Sequence, residues 1–232
     1  MNFQILQILS PHEVDEIVSD LGHQTFSDGK LTATGIAKSV KNNLQVGQPG
    51  SGAEEGTEAN DTELIDGLVM DALWRNETFQ SFALPRRIMA PLFARYNVGM
   101  SYGSHVDVAI MGSDDEPVRS DLAMTIFLSD PATYEGGGLV LEMPFGEQEI
   151  KLPAGHALVY PATSLHRVEP VTRGVRLVAV TWIQSLVRDP QLRTVLFDLS
   201  IAAAKAEALG DAGLTSVLNK SCHNLLRYAA DL

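Results

Sequence analysis

The chain has 232 residues, of which 45% are hydrophobic and 20% charged, and its formal net charge is −12 at pH 7. This composition is typical of a globular protein, and the acidic excess argues against a nucleic-acid partner, since such partners are bound mainly by clustered Lys and Arg. The single cysteine, Cys222, excludes an intrachain disulfide and fits a reducing compartment. The N-terminus lacks the pattern of a signal peptide, and no apolar run is long enough to span a membrane. We therefore expect a cytoplasmic protein with no membrane partner.

The first predicted element is a helix over Pro11–Leu21. Ser10 is a suitable N-cap, proline occupies the first helical position, and Glu13 completes a capping box. The stretch Val46–Asn60 is rich in Gly, Glu and small residues, which is typical of a mobile loop. A second helix is predicted near Asp61–Arg75, where apolar residues recur at helical spacing.

Short apolar segments separated by Gly, Pro and Asp follow, without helices between them. This pattern predicts a sandwich or double-sheet jelly roll. The candidate strands are Leu92–Val98, His105–Met111, Leu122–Leu128, Leu139–Met143, Gln148–Leu152, Ala157–Tyr160, His166–Val171 and Val175–Ile183.

The tail of the chain changes character again after Asp189-Pro190. Leu, Val and Ala recur at helical spacing over Gln191–Leu232, which predicts a helical end. The sequence thus indicates three parts: an N-terminal helical region at 1–77 with the mobile loop 46–60, a jelly-roll domain at 78–187, and a C-terminal helical extension at 188–232.

Two histidines and one aspartate are the candidate metal ligands. In a strand, His105 and Asp107 would point to the same face, and His166 opens another predicted strand that could supply the third ligand. Two imidazoles and a carboxylate are the facial triad that binds Fe(II) and leaves coordination positions open. An HxD pair also occurs by chance, so the context decides. The other histidines lack this context and are interpreted as surface or structural residues: His12, His23, His156 and His223.

Arg176 is a candidate anion-binding residue, ten positions beyond His166. Its predicted strand is apolar, and a buried arginine is costly without an anionic partner. The planar guanidinium suits a carboxylate held by two hydrogen bonds. The alternative is a salt bridge to an internal Asp or Glu. Arg173, in the turn before this strand, is expected to be exposed.

The residues around these positions form a series of motifs along nearly the whole chain. They are KNNLQ at Lys41–Gln45, RYNVG at Arg95–Gly99, Tyr102 with the HxD pair, the run Tyr160–Arg176, and TWIQSLVRD at Thr181–Asp189. This series resembles the Fe(II)- and 2-oxoglutarate-dependent dioxygenases of the prolyl hydroxylase superfamily. The last two motifs are similar to the bacterial PKHD-type hydroxylases in particular.

The resemblance implies a fold that is mainly β with flanking helices, a double-stranded β-helix or jelly roll. It implies Fe(II) held by His105, Asp107 and His166, with Arg176 on the distal carboxylate of 2-oxoglutarate. Tyr96 matches a motif position and could hydrogen-bond this co-substrate; the alternative is a buried aromatic ring whose hydroxyl bonds to the backbone. L-Ascorbate is the accessory reductant that the resemblance implies.

The implied reaction is hydroxylation by O2, with release of succinate and CO2. Asp107 favours hydroxylation, because halogenating relatives carry a small residue there, whereas Val178 replaces a serine found in some relatives. The implied substrate is a small molecule, an amino acid or a peptide, with substrate-side residues expected around Met111–Arg119. Assembly into a homo-oligomer is left open.

Three alternatives to a hydroxylase follow from the same residues. A non-catalytic cupin-like binding module would leave a buried Arg176 unexplained. An oxidative demethylase of nucleic acid is disfavoured by the acidic balance and by the absence of a basic, aromatic groove. A zinc hydrolase is disfavoured because the sequence has no HExxH motif.

Overall fold

A computed structural model of the chain describes residues 3–33, 35–46, 62–113 and 115–232. The loop predicted over 46–60 lies outside these ranges, apart from Val46. Within them, two antiparallel sheets face each other and helices cover the outer side of the larger sheet. No helix in these ranges is long and apolar enough to cross a membrane. The prediction of a mainly β jelly roll with flanking helices is confirmed.

In the described residues, helices occur only before residue 84 and after residue 189, and every element between these positions is a strand. The strands are β1 (Gln4–Gln7), β2 (Phe26–Asp28), β3 (Lys41–Asn42), β4 (Leu44–Val46), β5 (Pro85–Ile88), β6 (Leu92–Tyr96), β7 (Ser101–His105), β8 (Ile110–Gly112), β9 (Pro117–Arg119), β10 (Leu122–Phe127), β11 (Glu135–Gly136), β12 (Leu139–Met143), β13 (Gly146–Ile150), β14 (His156–Pro161), β15 (His166–Val168), β16 (Val171–Arg173) and β17 (Arg176–Ser185). The helices are α1 (Pro11–Leu21), α2 (Gly35–Val40), α3 (Glu63–Arg75), α4 (Glu77–Ala83), α5 (Pro190–Ala208) and α6 (Ala212–Ala229).

The larger sheet, here called the major sheet, has the strand order β1-β14-β10-β17-β6-β4-β2, and β5 also pairs with β17. The minor sheet has the order β13-β12-β15-β7-β3. Two small ribbons, β11-β16 and β8-β9, lie beside them. Apart from the β12–β13 hairpin, neighbouring strands in the minor sheet are distant in sequence, which is how a jelly roll brings separate motifs together.

Both faces of the major sheet are buried. All six residues of β10 are buried, with Met124 and Ile126 in the cluster that contacts the helices. Ala123 and Phe127 belong instead to the cluster between the sheets. Because neither face meets water, the central strands are apolar without alternation, as in sheets covered on both sides.

The helices form where capping and periodicity predict them. Ser10 and Glu13 make the predicted capping box at the start of α1. The second helix is α3, which spans Glu63–Arg75 and agrees with the helix predicted near Asp61–Arg75. The predicted C-terminal helix divides at Gly210, whose φ of +73° is in the left-handed region that favours glycine. It therefore forms two helices, and α6 packs against α5.

The region before residue 78 contains strands as well as the predicted helices. β1 pairs with β14, β3 with β7, and β4 with β6, so this region contributes to both sheets. These strands are two to four residues long. Segments this short show no alternation that would separate them from loops. The domain boundaries at 77 and 187 stay predictions.

The predicted strand His105–Met111 is wrong in its first half. β7 ends at His105, and the chain re-enters a strand only at β8. Val106 and Val108 are 46% and 47% exposed, so the apolar residues between the two strands have no sheet face to pack against. The apolar residues that predicted a strand here therefore belong to a connection between β7 and β8.

Candidate active site

A cavity of about 560 Å³ lies between the major and minor sheets. Every residue proposed for the site from the sequence lines it: Tyr96, His105, Asp107, His166 and Arg176. Much of the remaining wall is aliphatic. It includes Met89, Leu92, Leu139, Val178 and Val180.

The three candidate metal ligands converge at one side of this cavity. His105 and His166 are register partners on β7 and β15, and their ring centroids lie 4.3 Å apart. Asp107 Oδ1 lies 3.9 Å from His166 Nε2. One ligand atom from each of the three residues falls within 4.8 Å of the others. The sequence expected Asp107 to share a strand face with His105, but its carboxylate arrives from the connection after β7.

Both imidazoles are oriented by backbone carbonyls. His105 Nδ1 lies 2.8 Å from the carbonyl oxygen of Gly103, and His166 Nδ1 lies 3.0 Å from that of Ser164. A carbonyl only accepts, so each Nδ1 must carry the proton that it donates. Each Nε2 is then free to bind a cation, which is the usual arrangement of metal-binding histidines.

Two tyrosines hold the imidazole rings in place. The Tyr102 ring stacks on His105 with a centroid separation of 3.7 Å and an interplanar angle of 19°. Tyr160 meets the ring of His166 edge-on at 5.3 Å. These contacts restrict rotation of both histidines, which helps to keep a ligand geometry fixed before any ligand binds.

Burial controls the protonation of the site. Burial, together with the neighbouring His166, lowers the pKa of His105 to about 4. Burial also lowers the pKa of His166 and raises that of Asp107, although the indole of Trp182 opposes the rise at Asp107. Asp107 Oδ2 is buried without a hydrogen-bond partner in the described chain. Neutral imidazoles beside a carboxylate with an unpaired oxygen are a donor set that fits Fe(II).

Arg176 is buried deep in the cavity wall. It is 1% exposed, lies opposite Tyr96 in the β17–β6 pair, and its guanidinium carbon is 4.9 Å from the Tyr96 ring centroid. Nε and Nη1 have no hydrogen-bond partner, and Arg176 forms no ion pair with any residue that the structure describes. The alternative of an internal salt bridge is therefore not found in these ranges. A buried cation of this kind is costly unless an anion binds it.

Two phenols surround this guanidinium. Tyr96 is 4% exposed and Tyr134 is 1% exposed. Burial raises the pKa of both, while the charge of Arg176 opposes the rise, so both hydroxyls keep their protons at neutral pH. Tyr134 Oη has no partner in the described chain, and the hydroxyl of Tyr96 lies beside the side chains of Asn43 and Arg176 rather than the backbone. Both phenols can donate to an anion at Arg176.

Sequence reasoning missed several residues in and beside the cavity. Tyr134, which lies beside Arg176, comes from the segment before β11, where no motif marked it. Lys41, Asn43 and Gln45 belong to the KNNLQ motif, which was noted without a role for any of them. Their spacing, i, i+2 and i+4, is compatible with one strand face, but a segment this short gives no signal that separates a strand from a loop.

The segment expected on the substrate side, Met111–Arg119, forms part of a β8–β9 ribbon. Met111 and Gly112 line the cavity, as does the preceding Ile110. Asp114 lies outside the described residues. The remainder of the ribbon does not line the cavity.

Known proteins match both the sequence and this architecture. The 2OG-Fe(II) oxygenase superfamily matches residues 91–184, which span β6 to most of β17. A PKHD-type hydroxylase of Thermosynechococcus vestitus is 46% identical over 233 residues, covering 100% of both chains. The chain belongs to the PKHD-type hydroxylases. A second member, from Xanthomonas euvesicatoria, is 42% identical over 240 residues, again covering 100% of both chains.

Solved structures share the fold of this PKHD-type hydroxylase at lower identity. A Pseudomonas putida prolyl-4-hydroxylase has a TM-score of 0.52 and 20% identity, covering 79% of this chain and 92% of its own. A Trichoplax adhaerens prolyl hydroxylase, solved with a hypoxia inducible factor peptide fragment, has a TM-score of 0.55 and 15% identity, covering 79% of this chain and 84% of its own. The family establishes a 2-oxoglutarate-dependent hydroxylase that uses Fe(II).

Proposed function

We propose that this PKHD-type hydroxylase oxidises a small-molecule, amino-acid or peptide substrate at Fe(II) held by His105, Asp107 and His166. In this proposal Arg176 binds the distal carboxylate of 2-oxoglutarate, and succinate and CO2 are released. The observation that carries it is the pairing of an unpaired buried cation with a three-ligand cluster in one cavity. The cluster alone would also suit a structural metal, and the cation alone would suit any anionic ligand.

The ligand cluster supports the metal assignment through its orientation. Both Nε2 atoms are free because both Nδ1 atoms donate to backbone carbonyls. The two rings are held by Tyr102 and Tyr160. An imidazole fixed in tautomer and direction binds a metal without further ordering cost.

The wall around Arg176 supports the co-substrate assignment. An anion there would meet a guanidinium and the neutral phenols of Tyr96 and Tyr134, all of which donate hydrogen bonds. Phe127, whose ring centroid is 5.6 Å from the guanidinium carbon, is a buried apolar neighbour of this cation. Hydrogen bonds to charged groups are strongest in such a desolvated setting.

The chemistry follows from what each part supplies. Bound Fe(II) with 2-oxoglutarate supplies the activation of O2, which places one oxygen atom in the substrate hydroxyl and the other in succinate. Arg176 and Tyr96 orient the co-substrate, and the aliphatic wall excludes water from the reacting atoms. L-Ascorbate would return oxidised iron to the ferrous state, in the reducing cytoplasm that we expect for this chain.

The test uses the full chain with Fe(II) and 2-oxoglutarate in the absence of oxygen. We expect a weak visible charge-transfer band, which is lost in His105→Ala, and slow succinate formation once oxygen is admitted. Added L-ascorbate should prolong that turnover. Full iron binding by His105→Ala would overturn the ligand assignment. Iron binding without any succinate would instead favour the non-catalytic cupin-like module.

A further inference from the structure

The KNNLQ segment crosses from one sheet to the other along the side of the cavity. β3 pairs with β7 in the minor sheet, and β4 pairs with β6 in the major sheet. Alternate residues of the crossing, Lys41, Asn43 and Gln45, line the cavity and are 5%, 3% and 5% exposed. A buried polar stripe on an otherwise aliphatic wall is unusual, since polar side chains are rarely buried without a partner.

Lys41 is the charged member of this stripe. Its Nζ donates to Thr32 Oγ1 at 3.0 Å and lies 5.3 Å from the centroid of the Tyr102 ring. Thr32 in turn donates to Gln45 Oε1 at 2.5 Å, so the threonine hydroxyl both accepts from Lys41 and donates its own proton. An ammonium group has three donors, and among the described residues only this one hydrogen bond occupies them.

Within the described ranges, Lys41 has no carboxylate within 4.0 Å. Burial lowers its pKa to about 8 despite the opposing charges of Asp107 and Asp28, so the group stays protonated at neutral pH. Asp107 is committed to the metal cluster in the proposed function. Lys41 is therefore a second buried cation of the cavity that lacks an anionic partner.

This second cation is separate from Arg176. Lys41 lies on the edge strand of the minor sheet, next to Tyr102, and its charge acts on His105 and Asp107. Arg176 lies on a central strand of the major sheet, beside the phenols of Tyr96 and Tyr134. One bound dicarboxylate with its distal end at Arg176 leaves Lys41 for another ligand.

We propose that Lys41 forms a second anion subsite in the cavity, which holds a carboxylate of the substrate that is hydroxylated. This inference rests on the proposed function, because that function assigns Arg176 to 2-oxoglutarate. The substrate class is an aliphatic monocarboxylate or an acid with an aliphatic chain, whose carbon atoms lie along Met89, Leu92 and Val180.

The charge balance favours a carboxylate over a phosphate. A single ammonium compensates one negative charge, and Lys41 is the one cation on this part of the wall among the residues that the structure describes. A phosphate dianion would leave a second charge uncompensated close to Asp107, in a buried setting where that is costly.

The test compares hexanoate with hexanamide, which share shape and chain length but differ in charge. Their Kd values are measured by ligand-observed NMR on the full chain with Zn(II) and saturating 2-oxoglutarate, without oxygen. We expect hexanoate to bind at least about tenfold tighter, as one charge-assisted contact suggests. Hexyl phosphate is the third probe and should bind no better than hexanoate.

Matched variants test whether Lys41 causes the preference for hexanoate over hexanamide. Lys41→Met keeps the aliphatic stem and should remove the preference for hexanoate, whereas Lys41→Arg should keep it. Lys38→Met, which removes an exposed lysine from α2, should leave all three Kd values unchanged. Arg176→Met should also keep the preference, because the two anion subsites are separate.

The outcomes are separable from those of the proposed function. Equal Kd values for hexanoate and hexanamide in the unaltered chain, or absent hexanoate binding, would overturn the Lys41 subsite without any variant having to fold. A preference that persists in Lys41→Met would do the same, and tighter binding of hexyl phosphate would overturn the carboxylate class. Failure of the Fe(II) and 2-oxoglutarate band would overturn the proposed function, and a Lys41-dependent preference would stand apart from it.

Discussion

The major sheet is buried on both faces, and its two faces meet different surroundings. The outer face packs against α1, α3, α4 and α5 through aliphatic and aromatic side chains. The inner face contributes Arg176 to the cavity, where buried polar atoms of Arg176 and Asp107 lack partners in the described chain. The helix-covered face, here called the outer core, is thus largely satisfied, and the cavity wall is not.

This difference indicates which buried residues stabilise the fold and which serve ligands. Apolar burial stabilises a folded chain in rough proportion to the area removed from water. An unpaired buried polar group does the opposite, because its desolvation is not compensated. The cavity wall therefore carries a stability cost that ligands remove, and mutations in the cavity wall and in the outer core should have opposite consequences.

The largest expected effect is on the cavity side. Asp107→Ala should abolish succinate formation and weaken Fe(II) binding by more than about 100-fold, since residues that merely orient metal ligands already change affinity 10- to 100-fold. Its free energy of unfolding should not fall, because a buried carboxylate with a raised pKa is removed. Iron titration and urea unfolding measure the two quantities. His223→Ala, which changes an exposed histidine, is the control. Full iron affinity in the variant would remove Asp107 from the site.

The matching change in the outer core is Phe79→Ala. Phe79 is fully buried on α4, so its truncation should lower the free energy of unfolding by about 3–5 kcal/mol. The iron and 2-oxoglutarate affinities should be unchanged at temperatures where the variant is folded. Loss of iron affinity in a folded Phe79→Ala protein would mean that the two faces of the major sheet are coupled.

Arg176→Met tests whether buried Arg176 binds 2-oxoglutarate or stabilises the fold. We expect the Kd for 2-oxoglutarate to rise by roughly 10- to 100-fold, because each hydrogen bond to a charged group contributes about 1.5–3 kcal/mol. The ligand-free protein should unfold at an equal or higher urea concentration, since an unpaired buried cation is gone. Arg176→Lys should recover part of the affinity. An unchanged Kd together with a large loss of stability would make Arg176 a structural residue.

The smallest expected effect is on the free energy of unfolding and comes from one partly unpaired carboxylate on the helix α3. Asp66 on α3 accepts a hydrogen bond from Thr62 with Oδ2, but its Oδ1 is buried without a partner in the described chain. Burial raises the pKa of Asp66, so the folded chain binds this proton more tightly than the unfolded chain. The ionised carboxylate therefore destabilises the fold at neutral pH, and this penalty disappears as pH falls below the usual carboxyl pKa.

Asp66→Asn should accordingly raise the free energy of unfolding at pH 7 by less than about 1 kcal/mol, and the gain should vanish near pH 3. Urea unfolding at both pH values measures it. Asp71→Asn, an exposed position on the same helix, should show no such pH-dependent gain. A gain that is equal at both pH values would show that charge burial is not its cause.

Local rules in the sequence were sufficient for much of the fold. The capping box at Ser10 placed α1, and continuous apolar segments placed β10, β12 and β17 to within two residues. The same rules failed where an element is held only by distant partners. β3 and β4 are too short to show a period, and they exist because β7 and β6 supply their hydrogen bonds.

The sequence by itself determined the residue types of the site: two histidines, an aspartate and an arginine whose chemistry suits iron and a carboxylate. Only the tertiary structure decided how they meet. Asp107 reaches the histidines from the connection after β7, although the sequence predicted it within a strand, and Lys41 joins the cavity because a crossing between sheets buries it. The reason is physical: donor chemistry is a property of each side chain, whereas burial and missing partners arise only when distant strands pack together.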